Sequence, residues 1–541
     1  MKTHDVFNQV PPLENHHLFE TDIPLQEAVE KNQGNWALSQ LESYGHQLGT
    51  QVWIDKGFQA NQSPPVFHSH DRVGNRIDEV EFHPAYHELM TAGIGHQIHA
   101  FPWNHPRPGA HTVRMALFYL HSQNEAGSCC PLSMTFACVP TLQQAPSLAR
   151  SWLPKILSEQ YDPRSLPVSQ KKGATIGMAM TEKQGGTDVR ANSTQANQAG
   201  SDYELSGHKW FCSAPMSDAF LTLAQSQEGL SCFLVPRWRP DGSRNGFHIQ
   251  RLKNKLGNRS NASSEVEFHQ AFAQLVGEAG KGISTIIEMV SLTRYDCMIG
   301  STALMRRAVA EVVQHIRHRK VMGKYLIDHP LMQNVVADMC LEVEAALCMT
   351  ARVAKALDHT QHPEERLLLR LLLPIGKYWI CKRGVHMMGE AMECLGGNGY
   401  VEASILPRLY REIPVNSIWE GSGNVQCLDV LRAISRNPES LEVLHLTLAK
   451  NRHLNKDYDQ FLDKLWPILQ IEHLTPYAAR QLTEFLAKAL QASFLLESGN
   501  PQIAEAYCTS RLTQSSLSCF GTLPAGIQTK AIIERALPHL D

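Results

Sequence analysis

The sequence predicts an α+β protein in four stretches. They are a mostly α-helical part to about residue 175, a small β domain from 176 to 277, a helical bundle from 278 to 440, and a further helical segment from 441 to 541. Three observations predict this. The length of 541 residues, at roughly 150 residues per domain, makes about three to four domains. Near residue 176 the texture changes: YELSGHKWF, AFLTLAQ, LSCFLVP, FHIQRL and SEVEFHQ are short β-prone runs punctuated by Gly, Asn, Asp and Pro. After Gly282 a helical period returns and holds for about 150 residues, with Met332, Val336, Met339, Val343 and Leu347 forming one apolar stripe.

Before residue 176, helical patterning is broken by the polar, proline-bearing stretches Gln62 to His68 and Phe101 to His105, with no clean strand alternation, so this part reads as mostly α. In the bundle, Pro330 after Asp328 and His329 is a natural first-turn residue for the helix that carries the stripe. The last segment is introduced by Arg436, Asn437 and Pro438 and interrupted at Pro476, at Gly499 to Pro501 and at Gly521 to Gly526. No internal repeat or low-complexity run interrupts this order.

Hydrophobic residues make up 43% and charged residues 19%, against roughly 25% charged in an average soluble protein, so disorder is excluded and a large buried core is expected. So sparse a surface charge suits subunits that bury surface against one another. Lys and Arg number 50 against 53 Asp and Glu, a formal net charge of -3, which carries no global signature of a nucleic-acid binder. Any DNA contact must come from a local patch. The 13 cysteines are scattered from Cys129 to Cys519 and read as reduced thiols. The start MKTHDVFNQV has no apolar leader core, and no stretch has the length and apolarity of a membrane span, so a soluble, cytoplasmic protein is expected. P-loop, H-E-x-x-H and G-x-G-x-x-G motifs are absent, and the 26 histidines do not cluster with cysteine at metal-ligand spacing. Nucleotide hydrolysis, zinc chemistry and nicotinamide binding are set aside, and no metal is expected.

Four stretches stand out. MAMTEKQGGTDV, from Met178 to Val189, joins a short apolar strand to a glycine-rich turn that offers backbone N–H groups and hydroxyls to an electron-rich ligand, although alone it also reads as an ordinary hairpin. GHKWFCSAP, from Gly207 to Pro215, is a strand ending in small and hydroxyl residues beside two aromatics, and alone it reads as a buried strand. KLGNRSNASSEVEF, from Lys255 to Phe268, leads back towards the helices. The fourth, from Glu393 to Gln426, is the most specific: a Gly-Gly-x-Gly-Tyr loop followed about twenty residues later by Trp-Glu-Gly-Ser-Gly-Asn. That spacing sets Glu420 among glycines, where a flat ligand and backbone can approach closely. A lone Glu is usually a solvated carboxylate. Ile418 and Trp419 before it and the glycines after it favour a semi-buried carboxyl with a raised pKa.

The order of these stretches along an α, β, α chain resembles the acyl-CoA dehydrogenase superfamily over roughly residues 100 to 435. Length, the N-terminal HDVFNQVPPL and the extra C-terminal segment extend the likeness to one branch, the bacterial alkylation-response flavoproteins. The resemblance implies FAD, held by positions matching Met178, Met180, Thr181, Gly185, Gly186, Thr187, Phe211, Cys212, Ser213 and Ala214, with Arg319, Trp419, Gly421, Ser422 and Asn424 contributing. It implies that Glu420 is the base that takes the α-proton of an acyl-CoA and that Arg294 is the arginine beside the active site. Some branches place the base just before that arginine, but Thr293 stands there. Two departures touch the cofactor. Met322 replaces the usual Phe after Arg319 with Pro330 at the usual Gln position, and Glu393 replaces a Gln before the glycine loop, so the adenosine half of FAD is expected to be held differently.

The branch further implies a homotetramer, binding of double-stranded DNA and weak, isovaleryl-CoA-type dehydrogenase activity. Residues 441 to 541 carry nine basic against ten acidic side chains, a poor phosphate-binding balance. Arg408, Arg411, Arg432 and Arg436 are denser, so a DNA patch is expected at a seam that includes them. Two other readings stay open: an ordinary short- or branched-chain acyl-CoA dehydrogenase whose C-terminal segment serves assembly, and a non-enzymatic DNA shield with structural flavin.

Overall fold

The computed structural model describes residues 3–469, 474–513 and 519–538. The chain forms two compact units: Met1–Gln51, Arg107–Gln123 and Cys297–Asp541 make one, and Val52–Pro106 with Asn124–Asp296 makes the other.

The second unit is built on a seven-stranded sheet. Its strands are β3 (Ile176–Ala179), β4 (Gln195–Ala199), β5 (Asp202–Ser213), β6 (Ala219–Ser226), β7 (Gly229–Pro236), β8 (Phe247–Leu252) and β9 (Ser263–Val276). The five β-prone runs of the sequence are strands β5 to β9. Pairing in the order β6–β4–β5–β9–β7 returns to β6 and closes a ring, with β3 parallel to β6 and β8 antiparallel to β9. Closure buries a phenylalanine core in which Phe220 stacks on Phe247 at 4.8 Å and Phe247 meets Phe268 at 5.8 Å. β5 shifts register at Gly207 (φ +155°), where a Cβ would come within 2.5 Å of the Thr194 hydroxyl oxygen. Only glycine lets the two strands approach so closely.

One expectation fails here. Within the part read as mostly α with no clean strand alternation, residues 66 to 81 are a β-hairpin of β1 (Val66–His70) and β2 (Arg76–Glu81). Asp71 builds the turn by accepting from the backbone N–H groups of Val73 and Asn75 at 2.9 Å each. In V-F-H-S-H no residue is fully buried: Phe67 packs part-buried against the core while the equally apolar Val66 beside it is exposed, so hydrophobic periodicity carries little signal.

The first unit is helical. Helix Pro330–Asp358 begins on Pro330 as expected, and of its stripe Val336, Met339, Val343 and Leu347 are buried while Met332 is half-buried. It packs against helix Pro363–Cys394 and helix Ala479–Ser498. The C-terminal segment is fastened to this bundle by ion pairs, most of them buried. Arg511 reaches Asp338 and Glu342, Glu342 also takes Arg383 at 3.1 Å, and Arg535 bridges Glu344 and Glu27. Among the described residues no helix is long and apolar enough to cross a membrane, and no group of His, Cys, Asp and Glu could hold a metal ion.

Candidate active site

In the second unit, the glycine-rich turn and the end of β5 are tied together. Trp210 donates its N–H to the Thr181 carbonyl at 2.8 Å, and Lys183 N–H meets His208 Nε2 at 3.0 Å. Met178 is buried in β3, Met180 and Thr181 are half-buried, and Gly185, Gly186 and Thr187 are exposed. A Cβ on Gly186 would lie 2.4 Å from the Thr181 hydroxyl oxygen, so that hydroxyl is framed by glycine, and Gly185 (φ +133°) borders open space. At the strand end, Phe211 is 52% exposed. Ser213 is half-buried with its hydroxyl 3.1 Å from that of Ser263, and Ala214 turns into the left-handed region at φ +49°. Cys212 points into the core and is fully buried, which corrects its assignment: only its backbone can meet a ligand.

The turn is anchored by a residue that the sequence reading passed over. Glu182 is fully buried and accepts from the Ser193 N–H and hydroxyl, the Thr194 N–H and hydroxyl, and Lys209 Nζ at 2.9 Å. Burial alone would raise its carboxyl, but Lys209 and these donors hold it well below the usual carboxylate range. A carboxylate held low in the folded state stabilises above its unfolded pKa of about 4.3 and loses that contribution as pH falls further. Breaking a buried pair by removing one partner costs about 3–5 kcal/mol, whereas removing both is far milder. Lys209→Met is therefore expected to unfold at clearly lower urea than wild type, with Glu182→Leu/Lys209→Met in between. Equal midpoints for wild type and Lys209→Met would show that the pair is not the anchor.

In the first unit, Glu420 sits between helix Leu406–Glu412 and helix Gly423–Arg436, half-buried as expected. It takes a left-handed conformation, φ +58°, followed by Gly421 at φ +98°. The left-handed conformation is unfavourable for Glu420, which bears a side chain, and is held by its surroundings, whereas Gly421 adopts it freely. The holder is Lys377, 1% exposed, on helix Pro363–Cys394. Its ammonium donates to the carbonyls of Asn416 at 3.1 Å, Trp419 at 2.8 Å and Gly421 at 2.8 Å, which uses all three of its N–H bonds. Gln426, fully buried, adds donations to the carbonyls of Glu420 at 3.1 Å and Gly421 at 2.9 Å. The Trp419 indole N–H is buried without a partner among the described residues.

Residues 8–163 match the model of the adaptive response protein AidB N-terminal domain, residues 177–271 that of the acyl-CoA dehydrogenase middle domain, and residues 280–435 that of the acyl-CoA dehydrogenase C-terminal domain. AidB of Escherichia coli (strain K12) is 45% identical over 510 residues, which is 94% of each chain. The chain belongs to the AidB branch of the acyl-CoA dehydrogenase family. Its fold is also that of Caenorhabditis elegans ACDH-11, solved in complex with C11-CoA, at a TM-score of 0.86 and 25% identity over 94% of both chains. The acyl-CoA dehydrogenase of Bacillus anthracis, solved with FAD, shares the fold at a TM-score of 0.63, with 16% identity over 78% of this chain and 80% of that one. The chain is an oxidoreductase of a family that binds FAD.

Its residues fit that group. The half-exposed Phe211 ring offers an apolar face, the open Gly185 turn offers backbone N–H groups, and the hydroxyls of Thr181 and Thr187 stand beside them. Other expected residues are placed as follows. Arg294 lies half-buried on helix Gly282–His318, where the Thr293 hydroxyl is spent on the Val290 carbonyl. Ser422 is the N-cap residue of helix Gly423–Arg436, with no side-chain cap bond. Asn424 accepts from Arg480 Nε at 2.8 Å. Arg319 is drawn to the N-terminal segment, donating to the Asn8 carbonyl at 2.5 Å. Met322 (φ +51°) and Gly323 (φ +79°) form the two-residue loop of the hairpin between β10 (Lys320–Val321) and β11 (Lys324–Tyr325), which leaves Met322 93% exposed. Of the four arginines assigned to DNA, Arg408 is 5% exposed and cannot reach a phosphate from the surface. Arg411 is paired with Glu402 and Arg432 loosely with Asp429 at 3.3 Å, while Arg436 is exposed.

Proposed function

We propose that the chain is an FAD-dependent acyl-CoA dehydrogenase acting on short or branched acyl thioesters, with Glu420 as its base. The observation that carries the reading is the loop itself: five hydrogen bonds from Lys377 and Gln426 hold a carboxylate-bearing residue in a conformation that backbone sterics disfavour. FAD supplies the acceptor for the hydride that leaves the β-carbon. Glu420 takes the α-proton, and the fixed loop keeps its carboxyl from swinging into water. Phe211, Ser213, Thr181 and Thr187 hold the flavin, and Arg294 sets charge near the reacting thioester. Four linear parts, 1–175, 176–277, 278–440 and 441–541, remain the reading of the domain order. FAD-loaded protein mixed anaerobically with isovaleryl-CoA is expected to bleach. A spectrum unchanged by any short or branched acyl-CoA would overturn the activity.

The same branch supports a cytoplasmic homotetramer that binds duplex DNA in the response to alkylation. The observation in its favour is the pair Arg432 and Arg436, exposed one turn apart on helix Gly423–Arg436. The C-terminal segment is a weaker candidate, since Lys488 and Arg511 are buried and Arg452, Arg480 and Arg535 are engaged within the protein. That consumption of charge favours the second reading, a dehydrogenase whose extension serves assembly. The two readings separate on a salt series. Duplex affinity should fall with a log-log slope of about -0.9 per neutralised phosphate, and Arg432→Glu with Arg436→Glu should flatten that slope by about 2 per binding subunit. No binding at low salt leaves the dehydrogenase alone.

A further inference from the structure

A cleft of about 310 Å³ opens within the second unit, between β2, helix Pro84–Gly95 and the segment from Tyr161 to Thr175. That size is at the lower end of small-molecule sites, roughly 300–1,000 Å³. Among the cleft's lining residues Ala214 alone was assigned to the flavin. One wall is apolar: Phe82 stacks on Tyr86 at 4.3 Å, with Met90 and Met216 beside them.

The polar groups on the other wall have unused capacity. Ser217 is 2% exposed, and its hydroxyl has no hydrogen-bond partner among the described residues. Native proteins rarely leave such a group unmet, and a buried hydroxyl lining a cavity is the mark of an absent partner. Lys171, 4% exposed, gives one N–H to Asp218 Oδ1 at 2.5 Å, and its ammonium has two more to give. The other Asp218 oxygen accepts from Thr175 N–H at 2.9 Å, so both oxygens are already engaged. The phenol of Tyr161 shares a hydrogen bond of 3.0 Å with His87 Nδ1, and burial keeps both groups neutral, lowering the imidazole and raising the phenol.

Charge decides the ligand class. Lys171 is neutralised by Asp218, and the carboxylates that line the cleft, Glu79 and Asp162, are matched by Arg244 and Arg164. Among the described residues that line the cleft no positive charge is left over for an anion, and exposed Glu81 at the rim opposes one. We infer that this cleft binds a small neutral ring compound bearing a carbonyl or hydroxyl oxygen, with the oxygen on Ser217 and Lys171 and the ring against Phe82 and Tyr86. The hydroxyl of Ser217 then gains its partner, Lys171 completes its donor set, and the ring covers apolar surface without introducing charge.

The test uses FAD-saturated, full-length protein and three probes of one shape: benzamide, benzoate and ethylbenzene, titrated by calorimetry. Benzamide is expected to bind saturably with a Kd on the order of 1 mM, and the other two at least about tenfold more weakly. Ser217→Ala should weaken benzamide about tenfold while leaving the melting temperature of the ligand-free protein unchanged or raised, because it deletes an unmet hydroxyl. Tyr86→Ala should weaken benzamide and ethylbenzene alike. Saturation with FAD that abolishes binding, benzoate that equals benzamide, or a Ser217→Ala protein that binds benzamide as wild type does would each overturn the assignment. Because the readout is heat of binding, failure of the acyl-CoA reaction leaves the inference standing, and the reverse also holds.

Discussion

Glu420→Gln is expected to bind FAD as wild type does and to be reduced by an acyl-CoA roughly a hundred to ten-thousand-fold more slowly. The amide is the same size, and the hydrogen bonds that Lys377 and Gln426 give the loop end on the backbone carbonyls of Asn416, Trp419, Glu420 and Gly421, so they do not depend on the carboxyl. What it cannot do is accept the α-proton. The position before Arg294, where some branches of the family place the base, is Thr293, whose hydroxyl bonds the Val290 carbonyl of its own helix. The measurement is anaerobic bleaching of the flavin in a stopped-flow instrument, with bound flavin quantified first. Equal rates in the two proteins would remove Glu420 from the base role, and a protein that no longer holds FAD would make the residue structural.

The sequence was most legible where chemistry and local pattern coincide. The five β-prone runs became β5 to β9, Pro330 opened its helix, and the stripe from Val336 to Leu347 went inside, because each depends on neighbours a few residues away. The hairpin of β1 and β2 was missed because β1 has no fully buried residue and β2 buries the polar Asp78 beside Val80, which blurs the alternation that marks a strand. Glu182 drew no notice for a different reason: it lies inside the turn TEKQGGTD, and the partner that draws it into the unit, Lys209, is 27 residues away. Arg408 looked like one of four basic residues in a row of charges, and its burial came from the packing of helix Leu406–Glu412, which composition cannot show. For Lys377 a signal was present. It is the sole charge in the run LLLPIGKYWIC on a helix, and an ammonium inside such a run has to find acceptors somewhere. Which carbonyls it finds, 39 to 44 residues further along, only the folded chain reveals.

Those carbonyls make Lys377→Met the sharpest test of the loop. Methionine matches the length and apolar stem of lysine, so the helix keeps its packing, but the carbonyls of Asn416, Trp419 and Gly421 lose the ammonium they share. Each unmet buried carbonyl costs about 1–3 kcal/mol, and Gln426 still covers Gly421, so the loop relaxes from its left-handed pair of residues rather than the protein unfolding outright. A carboxylate that samples several positions is a poor base even when its chemistry is intact, and a displacement of about 1 Å can cost roughly a hundredfold. We therefore expect kcat for an acyl-CoA to fall about tenfold to a hundredfold, KM to change little, and bound flavin to stay near wild type. Lys377→Arg keeps the charge but brings a planar fork in place of three tetrahedral N–H bonds, so it should recover only part of the loss. A fall in KM and flavin content with kcat preserved would reassign Lys377 to the binding of cofactor or substrate, and wild-type kinetics in Lys377→Met would show that the loop holds its shape without it.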